Sequence, residues 1–213
     1  MAIKLVVFDV DGTILQSYSW KYIHEKLGTW DVAKKYADMF FANQMSYEEW
    51  AQLDAALWKG QTIARIKEII MQMPYTTGAK ETIATLKRKG IRLYLLSAGL
   101  SQVAQRIQDE IGIDGYSSNT LVVEDGFLTG EVKVNVSFYS KDKHLPHILQ
   151  EFNVSSEQCA AVGDDVTLIP LFKKVALAIA FNAISETVEK NAHITIKDKD
   201  LREILPHLLS ADK

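Results

Sequence analysis

Two aspartates two residues apart, Asp9 and Asp11, follow the apolar run Ile3-Lys4-Leu5-Val6-Val7-Phe8 and lead into Gly12-Thr13. Their types and spacing fit phosphoryl transfer. One carboxylate can attack phosphorus, and a second within reach of the same group can move the proton. Like charges this close repel, and a hard divalent cation such as Mg²⁺, which prefers carboxylate and phosphate oxygens, would offset the repulsion. The preceding run has the length and β-branched content of a buried parallel strand, and Gly12 marks the turn that ends it. Both acids therefore fall at a strand's carboxyl end, the edge of an open α/β sheet where ligands bind.

Two further strand ends carry groups suited to the same work. The run 91–96 delivers Ser97-Ala98-Gly99, and the run 158–162 delivers Gly163-Asp164-Asp165. A parallel sheet would gather Asp9, Asp11, Ser97 and Asp164 at one edge. Asp9 reads as the nucleophile, and Asp11 as the group that protonates the leaving oxygen and then activates water. Ser97, at a strand-to-helix junction, can bind phosphate oxygen with help from the electropositive helix start, and Gly99 keeps the approach open. Asp164, with Asp165, would join Asp9 in holding Mg²⁺. Lys141 or Lys143 could add a fixed positive charge; the residues alone do not separate them.

The elements that must position these groups follow from periodicity. A helix at 79–89 ends at Gly90, a helix at 141–152 precedes the strand that carries Asp164, a strand runs over 175–181, and a helix at 198–208 closes the chain. This alternation predicts an α/β fold with a doubly wound parallel sheet. Residues 16–75 differ, reading as several helices that hold all four tryptophans. They are expected to form an inserted helical cap between core segments 1–15 and 76–213. Ser46 with Glu49 is a capping-box pattern, and Ile63, Ile66, Ile70 and Met73 trace an apolar stripe. The aromatic cluster reads as the cap's own core, with a substrate-pocket wall as the alternative. Residues 117–136 read as a β-hairpin flap with a long or bulged loop around Asp125-Gly126 and Gly130.

Composition narrows the function. The 213 residues are 47% apolar and 24% charged, which is ordinary for a globular chain. A net charge of −3 excludes a general nucleic-acid binder and suits a small phosphorylated substrate. The single cysteine, Cys159, permits no intramolecular disulfide and reads as core. His144 and His147 share a helical face without a third ligand, so no zinc site is expected. With no signal pattern and no apolar segment approaching the ~20 residues that span a bilayer, the expectation is a cytoplasmic protein, monomeric or homodimeric, without membrane partners.

Taken in order, Asp-Val-Asp-Gly-Thr at 9–13, Ser97, a lysine near 141 and Gly-Asp-Asp at 163–165 resemble the haloacid dehalogenase-type phosphohydrolase superfamily. The likeness covers essentially the whole chain. Within it the chain is most similar to the phosphoserine phosphatase branch, notably at 128–132, 161–164, 172–174, 178–181 and 200–205. The resemblance implies a Rossmann-like core with a cap, Mg²⁺ and an aspartyl-phosphate intermediate, and the family spacing selects Lys141 over Lys143. It implies Asp9, Asp11, Ser97 and Lys141 as catalytic. The same resemblance implies that Asp11, Gly12, Ser97, Ala98, Gly99, Lys141 and Thr167 contact substrate, and that Asp9, Asp11, Asp164 and Asp165 hold metal.

The chain also departs from that branch. Tyr18 stands where its members carry a glutamate, and residues 49–56 contain no arginine to pair with a substrate carboxylate, Asp54 lying near that place. An aspartate cannot make a bidentate contact to a carboxylate, so phosphoserine is not carried over, and a less polar or more extended leaving group is expected. The stretch Gly163-Asp164-Asp165-Val166-Thr167-Leu168 lacks the branch's second acid and its asparagine. Asp165 is expected to replace that acid, in the metal shell or beside Lys141, with weakened metal binding as the alternative. The expected function is Mg²⁺-dependent phosphomonoester hydrolysis; a phosphomutase or a weak phosphometabolite-binding protein are the alternatives.

Overall fold

A computed structural model describes residues 2–209. Seven strands form one sheet: β1 (Leu5–Phe8), β2 (Arg92–Leu100), β3 (Gly115–Glu124), β4 (Phe127–Lys133), β5 (Cys159–Gly163), β6 (Leu177–Phe181) and β7 (Ile194–Ile196). Their spatial order is β4-β3-β2-β1-β5-β6-β7, parallel throughout except for the antiparallel β3–β4 pair. The expected α/β architecture is therefore present. The edge strand β7 is an addition: three residues are too few to show a period.

All four residues of β1 are buried because both faces of the sheet are covered. Val6 and Phe8 join a core with Leu93, Leu95, Ala160, Val162 and Ile179. Leu5 and Val7 face the other way, onto Tyr94, Leu96, Cys159, Ala161 and Ala178. The first face is covered by α5 (Ala79–Arg88) and α6 (Ser101–Ile111), through Ile83, Leu86, Val103 and Ile107. The second is covered by α7 (Leu145–Phe152) and α8 (Ile169–Phe172), with α9 (Glu186–Lys190) contributing Val188. A one-turn 3₁₀ segment, Leu201–Ile204, and α10 (Leu205–Leu209) end the described chain. Cys159 is fully buried, and burial pushes its thiol up to about 12.

Four helices lie between β1 and α5: α1 (Ser19–Leu27), α2 (Trp30–Phe41), α3 (Tyr47–Ala56) and α4 (Ile63–Met71). The Ser46–Glu49 capping box is formed at the start of α3, and Ile66, Ile70 and Met73 are buried as their spacing predicts. The expected hairpin forms, and its irregularity lies within the strands, between the pairs Leu121–Val132 and Val123–Leu128. Its turn is only Asp125-Gly126, both with positive φ (49° and 84°), a conformation that an Asp-Gly pair adopts readily. Gly130 lies inside β4, where a Cβ would come within 3.4 Å of the Ala56 Cα, so it lets α3 approach the hairpin. Backbone bonds from Gly60 N to Leu128 O (2.9 Å) and Leu128 N to Gln61 O (2.8 Å) tie the hairpin to the α3–α4 connection. No helix among the described residues is long and apolar enough to cross a membrane.

Candidate active site

Register gathers the acids. Phe8 pairs with Leu95 on one side and Val162 on the other, so the residues just beyond each strand end meet. Asp9 N continues the ladder to Val162 O at 2.9 Å, which sets the Asp9 side chain beside Gly163 and Asp164. A Cβ on Gly12 (φ +74°) would come within 2.2 Å of Asp164 Oδ2. Only glycine lets this turn close over that carboxylate.

Asp9 is 3% exposed. Its Oδ1 accepts from Val10 N at 2.7 Å, and its Oδ2 accepts from Lys141 Nζ at 2.5 Å. Lys141 is equally buried, in the 3₁₀ turn Lys141–His144 that follows the hairpin, and its one ion pair among the described residues is with Asp9. Lys143 has no such contact and is exposed. Asp11 Oδ2 accepts from the Ser19 hydroxyl at 2.7 Å, while its buried Oδ1 has no partner. Burial pushes Asp9 up to about 6 against the pull of Lys141, and pushes Asp11 up to about 7 against the hydrogen bonds of Ser19. Burial also disfavours the Lys141 ammonium, but Asp9 and Asp165 outweigh it and hold the lysine above its ordinary range.

Asp164 accepts from the Tyr18 hydroxyl at 2.7 Å and the Thr13 hydroxyl at 3.2 Å. Burial, with repulsion from Asp9 and Asp165, pushes it up to about 8. The Tyr18 phenol is itself raised by burial and by Asp164, so it stays a donor. Asp9, Asp11 and Asp165 line a cavity of about 410 Å³, whereas Asp164 and Gly12 line a neighbouring one of about 420 Å³; Tyr18 lines both.

Three expectations are corrected. Ser97 does not stand at a helix start: β2 continues through Leu100, and α6 begins only at Ser101. Instead β2 spends more residues than β3 between the pairs Leu96–Ser117 and Leu100–Asn119, and Ser97, Ala98 and Gly99 occupy that irregularity. Ser97 Oγ there accepts from Gly99 N at 2.9 Å, and a Cβ on Gly99 would crowd Ser19 Oγ, Ser97 Oγ and Asp11 Oδ2. Asp165 makes no ion pair with Lys141, although its charge acts on that ammonium and both line one cavity; its Oδ1 accepts from Thr167 N (2.9 Å) and from the Thr167 hydroxyl. It caps a helical turn, and the Thr167 hydroxyl expected on substrate is turned to it. Leu168, in place of the missing acid, is fully buried with its Cδ1 where a Gly163 Cβ would lie. Finally, the aromatic cluster is only partly core: Trp58 is fully buried and Phe40 is 5% exposed, but Trp20, Trp30, Phe41, Tyr47 and Trp50 line the 410 Å³ cavity.

Several site residues were not anticipated from sequence. Ser19 holds Asp11, Tyr47 donates to Ala98 O at 2.5 Å, and Asn119, fully buried, donates to Ala98 O (2.8 Å) and Val136 O (3.0 Å). An asparagine inside a strand is unusual, and Asn119 was the signal available. On the cavity's other side Asp54 Oδ2 lies 3.5 Å from His24 Nε2; burial pushes Asp54 up, with His24 opposing.

The donor set suits a hard cation: oxygen ligands only, three acids raised by burial and mutual repulsion, one lysine against them, and an unpartnered Asp11 Oδ1. As the side chains stand, no three His, Cys, Asp or Glu residues among those described converge as a ligand cluster.

Residues 3–175 match the family described as haloacid dehalogenase-like hydrolase. The chain is 32% identical over 206 residues to the phosphoserine phosphatase of Methanocaldococcus jannaschii, covering 96% of this chain and 97% of that one. It is 30% identical to the phosphoserine phosphatase of Wolinella succinogenes, over 96% and 100% of the two chains. A solved structure of a phospho-aspartyl intermediate analogue of phosphoserine phosphatase matches with a TM-score of 0.85 at 31% identity, over 98% of this chain and 100% of the other. A substrate-bound phosphoserine phosphatase complex matches at 0.86 and 30%, over 98% and 99%. The chain thus belongs to the haloacid dehalogenase-like hydrolase family and is an enzyme of the phosphatase type.

Proposed function

We propose that the protein hydrolyses small phosphomonoesters through an aspartyl-phosphate on Asp9, with Mg²⁺. The observation that carries this reading is the unequal pairing of two buried neighbouring acids: Lys141 Nζ stands 2.5 Å from Asp9 and opposes the burial that raises it, while Asp11 has a hydroxyl and no ion pair. An ammonium held on one carboxylate and a neutral hydroxyl on the other suit the first to nucleophilic attack and the second to proton transfer. Asp9 attacks phosphorus as the phosphorus–alcohol bond breaks, and Asp11 gives its proton to the departing oxygen. Asp11 then takes a proton from the water that attacks the aspartyl-phosphate, releasing phosphate and restoring Asp9. Ser97, Lys141 and the backbone at Gly12, Ala98 and Gly99 bind the phosphoryl oxygens. Asp9 and Asp164, with Asp11 and Asp165, would hold Mg²⁺, which neutralises charge on nucleophile and phosphate.

Residues 16–75 act in this reading as a cap over the core of 1–15 and 76–213, and cap and core together enclose the substrate. The missing arginine and the presence of Asp54 favour a substrate other than phosphoserine. A panel of phosphomonoesters assayed with and without Mg²⁺, beside Asp9→Asn, tests the proposal. Turnover should need Mg²⁺ and vanish in Asp9→Asn; hydrolysis that survives the substitution would sink the mechanism. Transfer of phosphate to a sugar in place of water would identify a mutase, and phosphate-analogue binding without turnover a binding protein.

A further inference from the structure

One part of the aromatic cavity holds a buried acid, Asp54, that no lysine or arginine among the described residues pairs with. Asp54, on α3, is 3% exposed and lines the cavity; its ion-pair neighbour is His24, with Nε2 3.5 Å from Oδ2. His24 supplies no positive charge. Trp58 Nε1 donates to His24 Nδ1 at 3.0 Å, and the Thr29 hydroxyl lies 2.7 Å from the same nitrogen. A ring nitrogen that accepts from an indole N–H bears no proton of its own, so the network assigns a neutral ring with its hydrogen on Nε2. Asp54 Oδ1 is buried without a close hydrogen-bond partner, the His24 Nε2–H and Trp50 Nε1–H are neutral donors turned toward the same carboxylate, and all three residues line the cavity. Neutral donors leave a buried carboxylate without a countercharge, and its unpartnered acceptor oxygen is where a cationic group would complete the set.

The surrounding walls are Trp20, Trp30, Phe41, Tyr47, Trp50 and Phe138. Their ring faces attract cations. Trp30 shows this already, with the half-exposed Lys21 ammonium 5.3 Å from its ring centroid; that lysine is bridged to Glu25. No arginine lines the cavity to receive a carboxylate. Asp11, Tyr47 and Asp54 all line this one cavity.

We propose that the phosphomonoester taken here has an alcohol bearing a cationic nitrogen, an ammonium or alkylated ammonium without a carboxylate, seated against Asp54 among the aromatic faces. The proposal rests on the phosphatase reading above. A neutral alcohol would leave the Asp54 carboxylate desolvated and unpaired, and the carboxylate of phosphoserine would be repelled by it.

The test pairs cationic substrates with neutral isosteres, using full-length protein and Mg²⁺: phosphocholine against its tert-butyl analogue, and phosphoethanolamine against propyl phosphate. Phosphoserine and para-nitrophenyl phosphate are assayed alongside. Each cationic ester should exceed its isostere in kcat/KM by about tenfold, mostly through KM, and should exceed phosphoserine. Asp54→Asn should bring the ratio close to one; Trp50→Leu should lower it and Trp50→Phe restore it. Equal rates for the isosteric pairs, a preference for phosphoserine, or a ratio indifferent to Asp54→Asn would overturn the proposal and leave the phosphatase standing. If no ester is hydrolysed, para-nitrophenyl phosphate included, the phosphatase reading fails instead. The cation site is then read by calorimetry with inorganic phosphate present: choline binding more tightly than its tert-butyl alcohol analogue supports it, and equal or weaker binding refutes it.

Discussion

Asp9 and Asp11 are chemically identical and two residues apart, yet their neighbours give them different surroundings. Lys141 stands on Asp9, whereas Asp11 is hydrogen-bonded by the neutral Ser19 and keeps one buried oxygen unpartnered. Asp11→Asn should therefore lower kcat for alkyl phosphates by roughly 10²- to 10⁴-fold, since alkoxides leave poorly without a proton. Aryl phosphates need that proton less, but the later attack of water still needs a base. Stopped-flow mixing of Asp11→Asn with para-nitrophenyl phosphate should show a burst of nitrophenol followed by a slow steady state. A single slow phase would place Asp11 outside the second step.

At the scale of elements, the irregular end of β2 is what turns a strand into part of a site. Ala98 O is taken out of the regular ladder and accepts from Tyr47, Asn119 and Trp20. Asn119 also accepts from Asn135 N (2.8 Å) and Val136 N (2.9 Å), which pins the chain that leads to Lys141. One side chain thus couples β2, β3 and the Lys141 turn. Asn119→Ala should leave several buried backbone groups unpaired and cost about 3 kcal/mol in urea unfolding. It should also lower kcat at temperatures where the variant is still folded, because the Lys141 turn loses its anchor. An activity loss without a stability loss would contradict this account.

The whole molecule tolerates a concentration of buried acid whose effect on stability has a definite sign. Asp9, Asp11 and Asp164 have folded values of about 6, 7 and 8 against an ordinary 3.8, so the folded state binds protons more tightly than the unfolded chain. Their contribution is fully present below the unfolded value and is lost as pH rises through the folded values. Metal-free protein in chelator should therefore melt at a higher temperature near pH 5.5 than near pH 8. Mg²⁺ should raise the melting temperature more at the higher pH, where the acids are ionised and can bind it. A chelator-treated protein more stable near pH 8, or an Mg²⁺ effect confined to low pH, would contradict the proposed site.

The chemistry-bearing residues and the fold class were legible in one dimension because each depends on a local signal. Apolar runs ending in Asp9, Ser97 and Asp164 specify buried parallel strands, and parallel strands bring their ends to one edge. Two things were not local. Whether Trp20, Trp30 and Trp50 pack inward or face a cavity depends on where α1–α4 lie against the sheet, and a helical stripe looks the same in both cases. Similarly, Tyr18, Asp54 and His24 gained their roles from partners far along the chain or across a helix pair: Tyr18 became the donor on Asp164, and Asp54 an acid whose ion-pair neighbour is His24. Sequence determined the family and the phosphatase class, because strand-end acids are fixed by short-range pattern. Only the tertiary structure decided the shape and charge of the pocket, because burial and pairing between distant side chains set them.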